Sequence, residues 1–204
     1  MQVGLEEQNA LRNFFEIPES IFYKEPERNV ELAALPLDTY RVTVMVDYNS
    51  PVLGSQHASI TNISQFKTEI ASCRTFCFLH ELEMLYNQNL IKGGDLNNSI
   101  VVVDRVVEEK ELAHLAKMFN KEKVEVRKEG ILNNVELRYK NEPARHKLLD
   151  VVGDLALVGR PIKAQIMAAR PGHAANVAFA KKIKRAMEKA GPSHIPHYDP
   201  KLPP

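Results

Sequence analysis

The sequence has few cysteines and little net charge, the features that would indicate an oxidising compartment or a polyanionic partner. Its 204 residues include no tryptophan and two cysteines, and the formal net charge at pH 7 is +1. Cys73 and Cys77 form neither a disulfide framework nor a CxxC redox motif, so free thiols in a reducing compartment are expected. A balanced charge gives no general attraction to nucleic acid or to a membrane surface, so neither is expected as a partner.

Long apolar segments are also absent from the sequence. No run approaches the roughly 18 residues that a membrane span needs. The opening segment, MQVGLEEQNALRNFF, lacks the basic and then apolar order of a secretory signal. We therefore expect neither a membrane span nor a secretory signal. A chain that is 44% hydrophobic and of this length suits one globular domain with a short appendage.

Strands and helices are both predicted, in an irregular order. Alternating β-branched residues predict a strand over residues 40–46, ended by a turn at 49–51, with a neighbouring strand over 58–63. The other predicted elements are helices over 64–71, 78–90, 111–119, 143–158 and 173–189, strands over 99–103 and 161–169, and an exposed hairpin or loop over 121–128.

This mixed order of elements predicts the fold class. Because strands and helices do not alternate strictly, we predict an α+β fold, a two-layer sandwich of one mixed sheet with helices on one face. A β-α-β unit is predicted at about residues 76–103. Residues 191–204 are rich in proline and carry no core pattern, so they are predicted to be a linker or tail.

Acidic and histidine side chains recur along the long predicted helix. His146, Asp150 and Asp154 are spaced by four residues and therefore share one face. An imidazole and a carboxylate at this spacing can hold Zn²⁺ at about 2 Å each, and Asp154 can orient a ligand or a catalytic histidine. Lys147 can balance negative charge on a substrate. A solvated or salt-bridged helix face explains the same spacing, so the stripe alone does not establish a metal site.

Two further candidate residues lie at predicted junctions between elements. His173 follows a glycine where a strand meets the last helix, which suits a general acid or a further metal ligand. A residue beside a helix cap with no further role explains it as well. Thr75 precedes a predicted helix, and its hydroxyl can hydrogen-bond a developing oxyanion. Threonine at a strand end is more often explained by β propensity.

Three segments together resemble one protein family. CRTFCFLHELEMLYNQNLIKGGDLNNSIVV, EPARHKLLDVVGDLALVG and IMAARPGHAAN are similar, in order and spacing, to the UDP-3-O-acyl-N-acetylglucosamine deacetylases, zinc-dependent enzymes of lipid A synthesis. The resemblance covers about residues 5–183, and the motifs RHKxLDxxGDL and GHxxN carry most of it. NSPVLGSQHA and GILNN are most similar to the form fused to a 3-hydroxyacyl-carrier-protein dehydratase, and YDPKLPP resembles the linker into that enzyme.

The resemblance implies a role for each matching residue. His146 and Asp150 match two of three zinc ligands. His173 matches a general acid or electrostatic stabiliser, and Asp154 matches the carboxylate that orients it. Thr75 matches a threonine that would polarise the acetyl carbonyl, and Lys147 matches a lysine near the zinc-bound intermediate. Arg170 matches a basic residue at the nucleotide diphosphate, and Tyr48 matches an aromatic residue near the uridine.

The predicted β-α-β unit matches an insert of the family, which forms an apolar passage for the fatty acyl chain of the substrate. The same side chains also fit an ordinary hydrophobic core, and sequence alone favours that core. The residues that would line the passage are Phe76, Leu79, Leu82, Ile91, Leu96 and Val101.

Family members have two similar domains with the active site between them, and residues 1–190 match the second domain. The resemblance implies that a first domain supplies the third zinc ligand, a histidine, and a glutamate general base. Neither segment is in this sequence, so the chain is expected to fold but to be inactive alone. A cytoplasmic location in a Gram-negative bacterium is also implied.

Two other interpretations of these residues stay open. A non-catalytic module that keeps the fold would bind a nucleotide-sugar lipid or a protein partner. An unrelated hydrolase would instead use His146, Asp150 and His173 as a self-contained set of ligands, and its isolated chain would bind zinc tightly.

Overall fold

The computed structural model describes residues 13–88, 98–133 and 135–191. In these residues the strands are β1 (Phe15–Glu16), β2 (Ile21–Glu25), β3 (Val30–Pro36), β4 (Tyr40–Asp47), β5 (Ser55–Ile60), β6 (Phe76–Phe78), β7 (Ile100–Val102) and β8 (Ile162–Ala169). The α-helices are α1 (Leu79–Asn87), α2 (Glu109–Met118), α3 (Glu142–Leu155) and α4 (His173–Lys189).

Six strands form one mixed sheet. The order is β2-β3-β8-β4-β5, with the short β1 also paired to β8. The central β8 runs antiparallel to β3 and parallel to β4. Buried and outward side chains alternate along β4 and β8, as expected for strands with one covered face. The strands predicted over 40–46 and 161–169 are confirmed, whereas the one predicted over 58–63 begins earlier, at Ser55, and ends at Ile60.

Two helices cover one face of this sheet. α3 lies against β4 and β5, α4 lies against β2 and β3, and the two helices contact each other. Leu148 and Phe179, one on each helix, have no exposed surface, and burying each such side chain contributes roughly 1.5–3 kcal/mol. α3 starts with Pro143 in its first turn and ends in a 3-10 turn, Ala156–Val158. The predicted α+β two-layer sandwich is confirmed.

Gly159 ends the helical segment that begins with α3. Its φ of 84° lies in the left-handed region, which a residue without a side chain adopts at little cost. The helix predicted over residues 143–158 ends at the residue before Gly159, and the structure confirms this end. The central strand β8 begins three residues later, at Ile162.

The β-α-β insert is confirmed as the parallel pair β6 and β7 joined through α1. α2 packs on this unit and completes a second, smaller core, separate from the core of the main sheet. The buried members of this insert core are Leu79, Leu82, Val101, Val103, Leu115, Ala116, Val124 and Leu132.

Two further predicted elements differ from the structure. Residues 64–71 form one π-helical turn, Phe66–Ile70, rather than a short α-helix, and Ile70 is fully buried in the main core. Residues 121–128 are not wholly exposed, because Val124 is buried in the insert core. Of the predicted tail, Gly191 alone is among the described residues. None of the described helices is both long enough and apolar enough to cross a membrane.

Candidate functional site

The candidate site lies at the connection between the end of β8 and the start of α4, beside the middle of α3. Between strand and helix, Arg170 has a φ of 49°, an uncommon value for a residue with a side chain. Its backbone N–H donates to the carbonyl of Met45 at 2.8 Å, which fixes the turn to β4. This turn places His173 at the first position of α4, facing α3.

His146 and Asp150 face each other one turn apart on α3. His146 Nε2 lies 3.5 Å from Asp150 Oδ1, and the two side chains are 16% and 8% exposed. The other ring nitrogen, Nδ1, lies 3.2 Å from the backbone carbonyl of Cys73. Lys147 Nζ lies 3.3 Å from the second oxygen of Asp150. The predicted shared face of the helix is therefore present.

This donor pair suits a divalent metal ion. Two ligand atoms at about 2 Å from one tetrahedral zinc are about 3.3 Å apart, close to the observed 3.5 Å between His146 Nε2 and Asp150 Oδ1. A metal-binding histidine usually donates its other N–H to a carbonyl or carboxylate, which fixes the ring. The contact of His146 Nδ1 with Cys73 matches that pattern. Within residues 13–88, 98–133 and 135–191, no group of three or more His, Cys, Asp or Glu side chains could hold a metal ion.

His173 and Asp154 form a second His–Asp pair beside the first. His173 Nδ1 lies 2.9 Å from Asp154 Oδ2, and His173 Nε2 lies 3.9 Å from Asp150 Oδ1. The histidine side chain is 70% exposed, whereas Asp154 is 17% exposed. Asn176 Nδ2 donates to the same Asp154 oxygen at 2.9 Å. The structure therefore brings together all four of His146, Asp150, Asp154 and His173.

Thr75 lies on the segment that runs past His146. It is exposed, two residues after the Cys73 carbonyl that contacts the His146 ring. Its own carbonyl accepts a hydrogen bond from Ile100 N–H at 2.9 Å, which joins it to the insert. The structure thus puts Thr75 near the site, and its predicted contact with the acetyl carbonyl stays a prediction.

Tyr48 packs against the insert. Its ring meets Phe76 edge-on at 5.1 Å and Phe78 at 6.4 Å. Its hydroxyl is buried and has no hydrogen-bond partner among the described residues. Burial, and then the charge of Asp150, raise the pKa of Tyr48 far above its ordinary value. The predicted contact of Tyr48 with uridine stays a prediction.

Two cationic side chains border the site. Lys147 Nζ lies 5.5 Å from the centre of the Phe76 ring, which brings the apolar insert next to the His–Asp pair. Arg170 is 44% exposed, 3.6 Å from a carboxylate oxygen of Asp47, and it donates to the carbonyl of Asn29. The exposed guanidinium suits an anionic ligand, and its predicted contact with a diphosphate stays a prediction.

The side chains predicted to line an acyl passage fall into three groups. Three of them, Leu79, Leu82 and Val101, are buried in the insert core. In this structure they are therefore ordinary core residues, as the alternative interpretation of the sequence expected. Phe76 is half-buried at the boundary with the candidate site. Ile91 and Leu96 lie outside the described residues. The passage itself stays a prediction.

Several residues that support the site were not predicted from the sequence. Asn176 stands in the quoted GHxxN motif, yet its hydrogen bond to Asp154 crosses between two helices and leaves no periodic signal. The Cys73 carbonyl is a backbone group, which residue type does not reveal. Arg74 and Glu142, which fix residues 73–75 against α3, are 68 residues apart in the chain.

Two adjacent His–Asp pairs on a two-layer α+β scaffold, with one imidazole held by a carboxylate, form a site of the kind that hydrolytic enzymes use. The family model of the UDP-3-O-acyl N-acetylglycosamine deacetylases matches residues 1–124 and 112–185 of the chain. The chain belongs to this deacetylase family.

Individual relatives agree with the family model. The chain is 49% identical over 192 residues to a bifunctional enzyme LpxC/FabZ of Chlorobaculum tepidum, covering 93% of this chain and 41% of that protein. It is 42% identical over 199 residues to one of Porphyromonas gingivalis, covering 98% and 43%. A UDP-3-O-acyl-N-acetylglucosamine deacetylase of Chlamydia pneumoniae is 35% identical over 189 residues, covering 92% and 58%. The chain thus spans about two fifths of the length of these bifunctional relatives, and the resemblance seen in the sequence is confirmed.

Proposed function

We propose that the chain is the second half of a zinc-dependent deacetylase. Its reaction is hydrolysis of the N-acetyl group of UDP-3-O-(3-hydroxyacyl)-N-acetylglucosamine in lipid A biosynthesis, in the cytoplasm of a Gram-negative bacterium. The observation that carries the proposal is the meeting of His146, Asp150, Asp154 and His173 at one site, in a chain of the deacetylase family.

His146 Nε2 and Asp150 Oδ1 would hold Zn²⁺. When bound, the ion supplies a Lewis acid for the acetamide carbonyl and lowers the pKa of a bound water. A catalytic zinc usually has three protein ligands, so two side chains fall short of a complete site. We propose that the first domain of the protein supplies a third ligand, a histidine, and a glutamate general base. The chain alone would then fold without activity.

His173 would act on the acetamide as it is cleaved. Because Asp154 accepts from Nδ1, the opposite nitrogen, Nε2, is the atom turned toward Asp150. In its protonated form, Nε2 can donate to a developing oxyanion or to the departing amine. The ammonium of Lys147 and the hydroxyl of Thr75 would also stabilise the negative charge that develops on the carbonyl oxygen.

Substrate binding would be shared among more distant groups. Arg170 offers an exposed guanidinium for a nucleotide diphosphate, and Tyr48 would lie near the uridine. The insert, with Phe76 at its boundary, would bind the acyl chain, which gains about 0.8 kcal/mol for each buried methylene group. Binding energy gained far from the reacting bond can help to orient that bond.

The bifunctional relatives support a fused partner. Three of them carry the name LpxC/FabZ and are 39–49% identical to the chain. We propose that residues 191–204 lead into a 3-hydroxyacyl-carrier-protein dehydratase. One protein would then hold two enzymes that handle 3-hydroxyacyl groups.

The experiment measures acetate release from UDP-3-O-(3-hydroxyacyl)-N-acetylglucosamine. We expect activity from the complete protein, loss of activity with a chelator, and recovery with Zn²⁺. We expect none from the 204-residue chain alone, and little from the complete protein with UDP-N-acetylglucosamine, which lacks the acyl chain. Activity of the chain alone would favour a self-contained ligand set. Substrate binding without hydrolysis by the zinc-loaded complete protein would favour a non-catalytic module.

A further inference from the structure

Asn176 is buried beside the candidate site. Like Glu142, it is a polar residue with no exposed surface in the described part of the chain. It lies one turn along α4 from His173, and its backbone N–H donates to the carbonyl of Gly172 at 2.8 Å. This position in the first turn directs its side chain toward Asp154 on α3.

One oxygen of Asp154 receives two hydrogen bonds from α4. Asn176 Nδ2 and His173 Nδ1 each lie 2.9 Å from Asp154 Oδ2. Two donors from the same helical turn hold the carboxylate in one rotamer more firmly than the exposed histidine ring can alone. The buried amide and the ring therefore share one acceptor atom on α3.

The Asn176 amide uses only one of its two polar atoms in a side-chain hydrogen bond. Its second amide atom, Oδ1, is buried with no hydrogen-bond partner among the described residues. A buried polar atom without a partner is unfavourable, whereas an apolar side chain of similar shape avoids that cost. What the amide offers is an uncharged donor to the carboxylate.

We propose that Asn176 is a positioning residue for His173 and acts through Asp154. The inference rests on the proposed function, because His173 is the group that would act on the substrate. Without the amide, the Asp154 carboxylate can rotate and the His173 ring loses its fixed partner. The ring then exchanges its proton between Nδ1 and Nε2, and Nε2 is no longer held 3.9 Å from Asp150.

The first test is kinetic and uses the complete protein. In Asn176→Leu we expect kcat for acetate release to fall roughly 10- to 100-fold, with KM and zinc content unchanged. The matched control is Ala180→Gly, which weakens α4 one turn further on at a buried residue of the main core. The control should lower the thermal midpoint and leave kcat unchanged. If Asn176→Leu does not fold, Asn176→Ala takes its place.

The second test reads the His173 ring directly. In the complete protein labelled with ¹⁵N-histidine, at a pH where the ring is neutral, we expect the wild type to show the Nδ1–H tautomer of His173. We expect Asn176→Leu to show both tautomers. Wild-type kcat and an unchanged tautomer in the variant would overturn the inference and leave the proposed function standing. A tautomer change in a protein whose wild type releases no acetate would support the positioning of His173 and refute the proposed function.

Discussion

Arg74 and Glu142 form a buried ion pair that joins the start of the insert to the first turn of α3. Arg74 Nε lies 2.9 Å and its backbone N–H 3.0 Å from Glu142 Oε1, and Arg138 N–H donates to Oε2 at 2.6 Å. The Glu142 side chain has no exposed surface, and that of Arg74 is 12% exposed. The pair thereby holds residues 73–75 beside the helix that carries His146.

Removing the charge of Glu142 should destabilise the protein. Glu142→Gln leaves the Arg74 guanidinium buried without its counter-charge, so we expect a loss of about 3 kcal/mol in the free energy of unfolding, measured by urea denaturation. Glu31→Gln is the control, because Glu31 pairs with Lys24 on the surface. That control should unfold close to wild type. Equal effects of the two substitutions would contradict the structural role of the buried pair.

The same pair predicts a dependence of stability on pH. Burial alone would raise the pKa of Glu142, but hydrogen bonds from Arg74 and Arg138 and the charge of Arg74 hold it below its ordinary value near 4.5. Because the pKa is lower in the folded state, the stabilisation is complete above the unfolded pKa and is lost as pH falls through the folded pKa. The difference in unfolding free energy between wild type and Glu142→Gln should therefore shrink at acidic pH. A constant difference would contradict this prediction.

Elements with strong local patterns could be predicted from the sequence. α3 and α4 follow from helical periodicity with proline and glycine at their ends, and β4 follows from alternating β-branched residues. The shared face of His146 and Asp150 depends on helical spacing alone, so it was predictable too. The central position of β8 was not, because its neighbours β3 and β4 are distant in sequence and pair by tertiary packing.

Contacts between distant segments account for the rest of the differences. Val124 lies in a charged segment, yet it is buried because α2 and the insert surround it. The turn over residues 66–70 contacts α3, so tertiary packing and not helix propensity decides its form. The amide of Asn176 on α4 donates to Asp154 on α3, and this contact depends on the packing of the two helices against each other.

Substitutions in the insert can test whether its apolar side chains form a core or line an acyl passage. Leu82 is 3% exposed within the insert core. Leu82→Ala should lower the free energy of unfolding by roughly 2–5 kcal/mol and leave unchanged the relative KM for substrates with short and long acyl chains. Phe76→Ala, at the boundary with the site, should raise KM more for long chains. A chain-length effect of Leu82→Ala without lost stability would instead place Leu82 in the passage.

Asp154→Asn should separate catalysis from metal binding. The substituted amide has one acceptor oxygen and adds donors opposite His173 and Asn176, so the imidazole loses its charged partner. We expect zinc content to stay at the wild-type level and kcat to fall roughly 10- to 100-fold, measured by metal analysis and acetate release on the same preparations. Asp38→Asn, exposed in the turn between β3 and β4, is the control and should retain both. Loss of zinc in Asp154→Asn would instead make Asp154 a ligand.

The most direct measurement is the zinc content and acetate release of the complete protein with and without His146. We expect about one zinc per wild-type chain, and His146→Ala should lose both the metal and the deacetylation. His57→Ala is the control, because His57 is exposed on β5, outside the site, and it should keep both properties. A His146→Ala protein that retains zinc and releases acetate at the wild-type rate would contradict the proposed site.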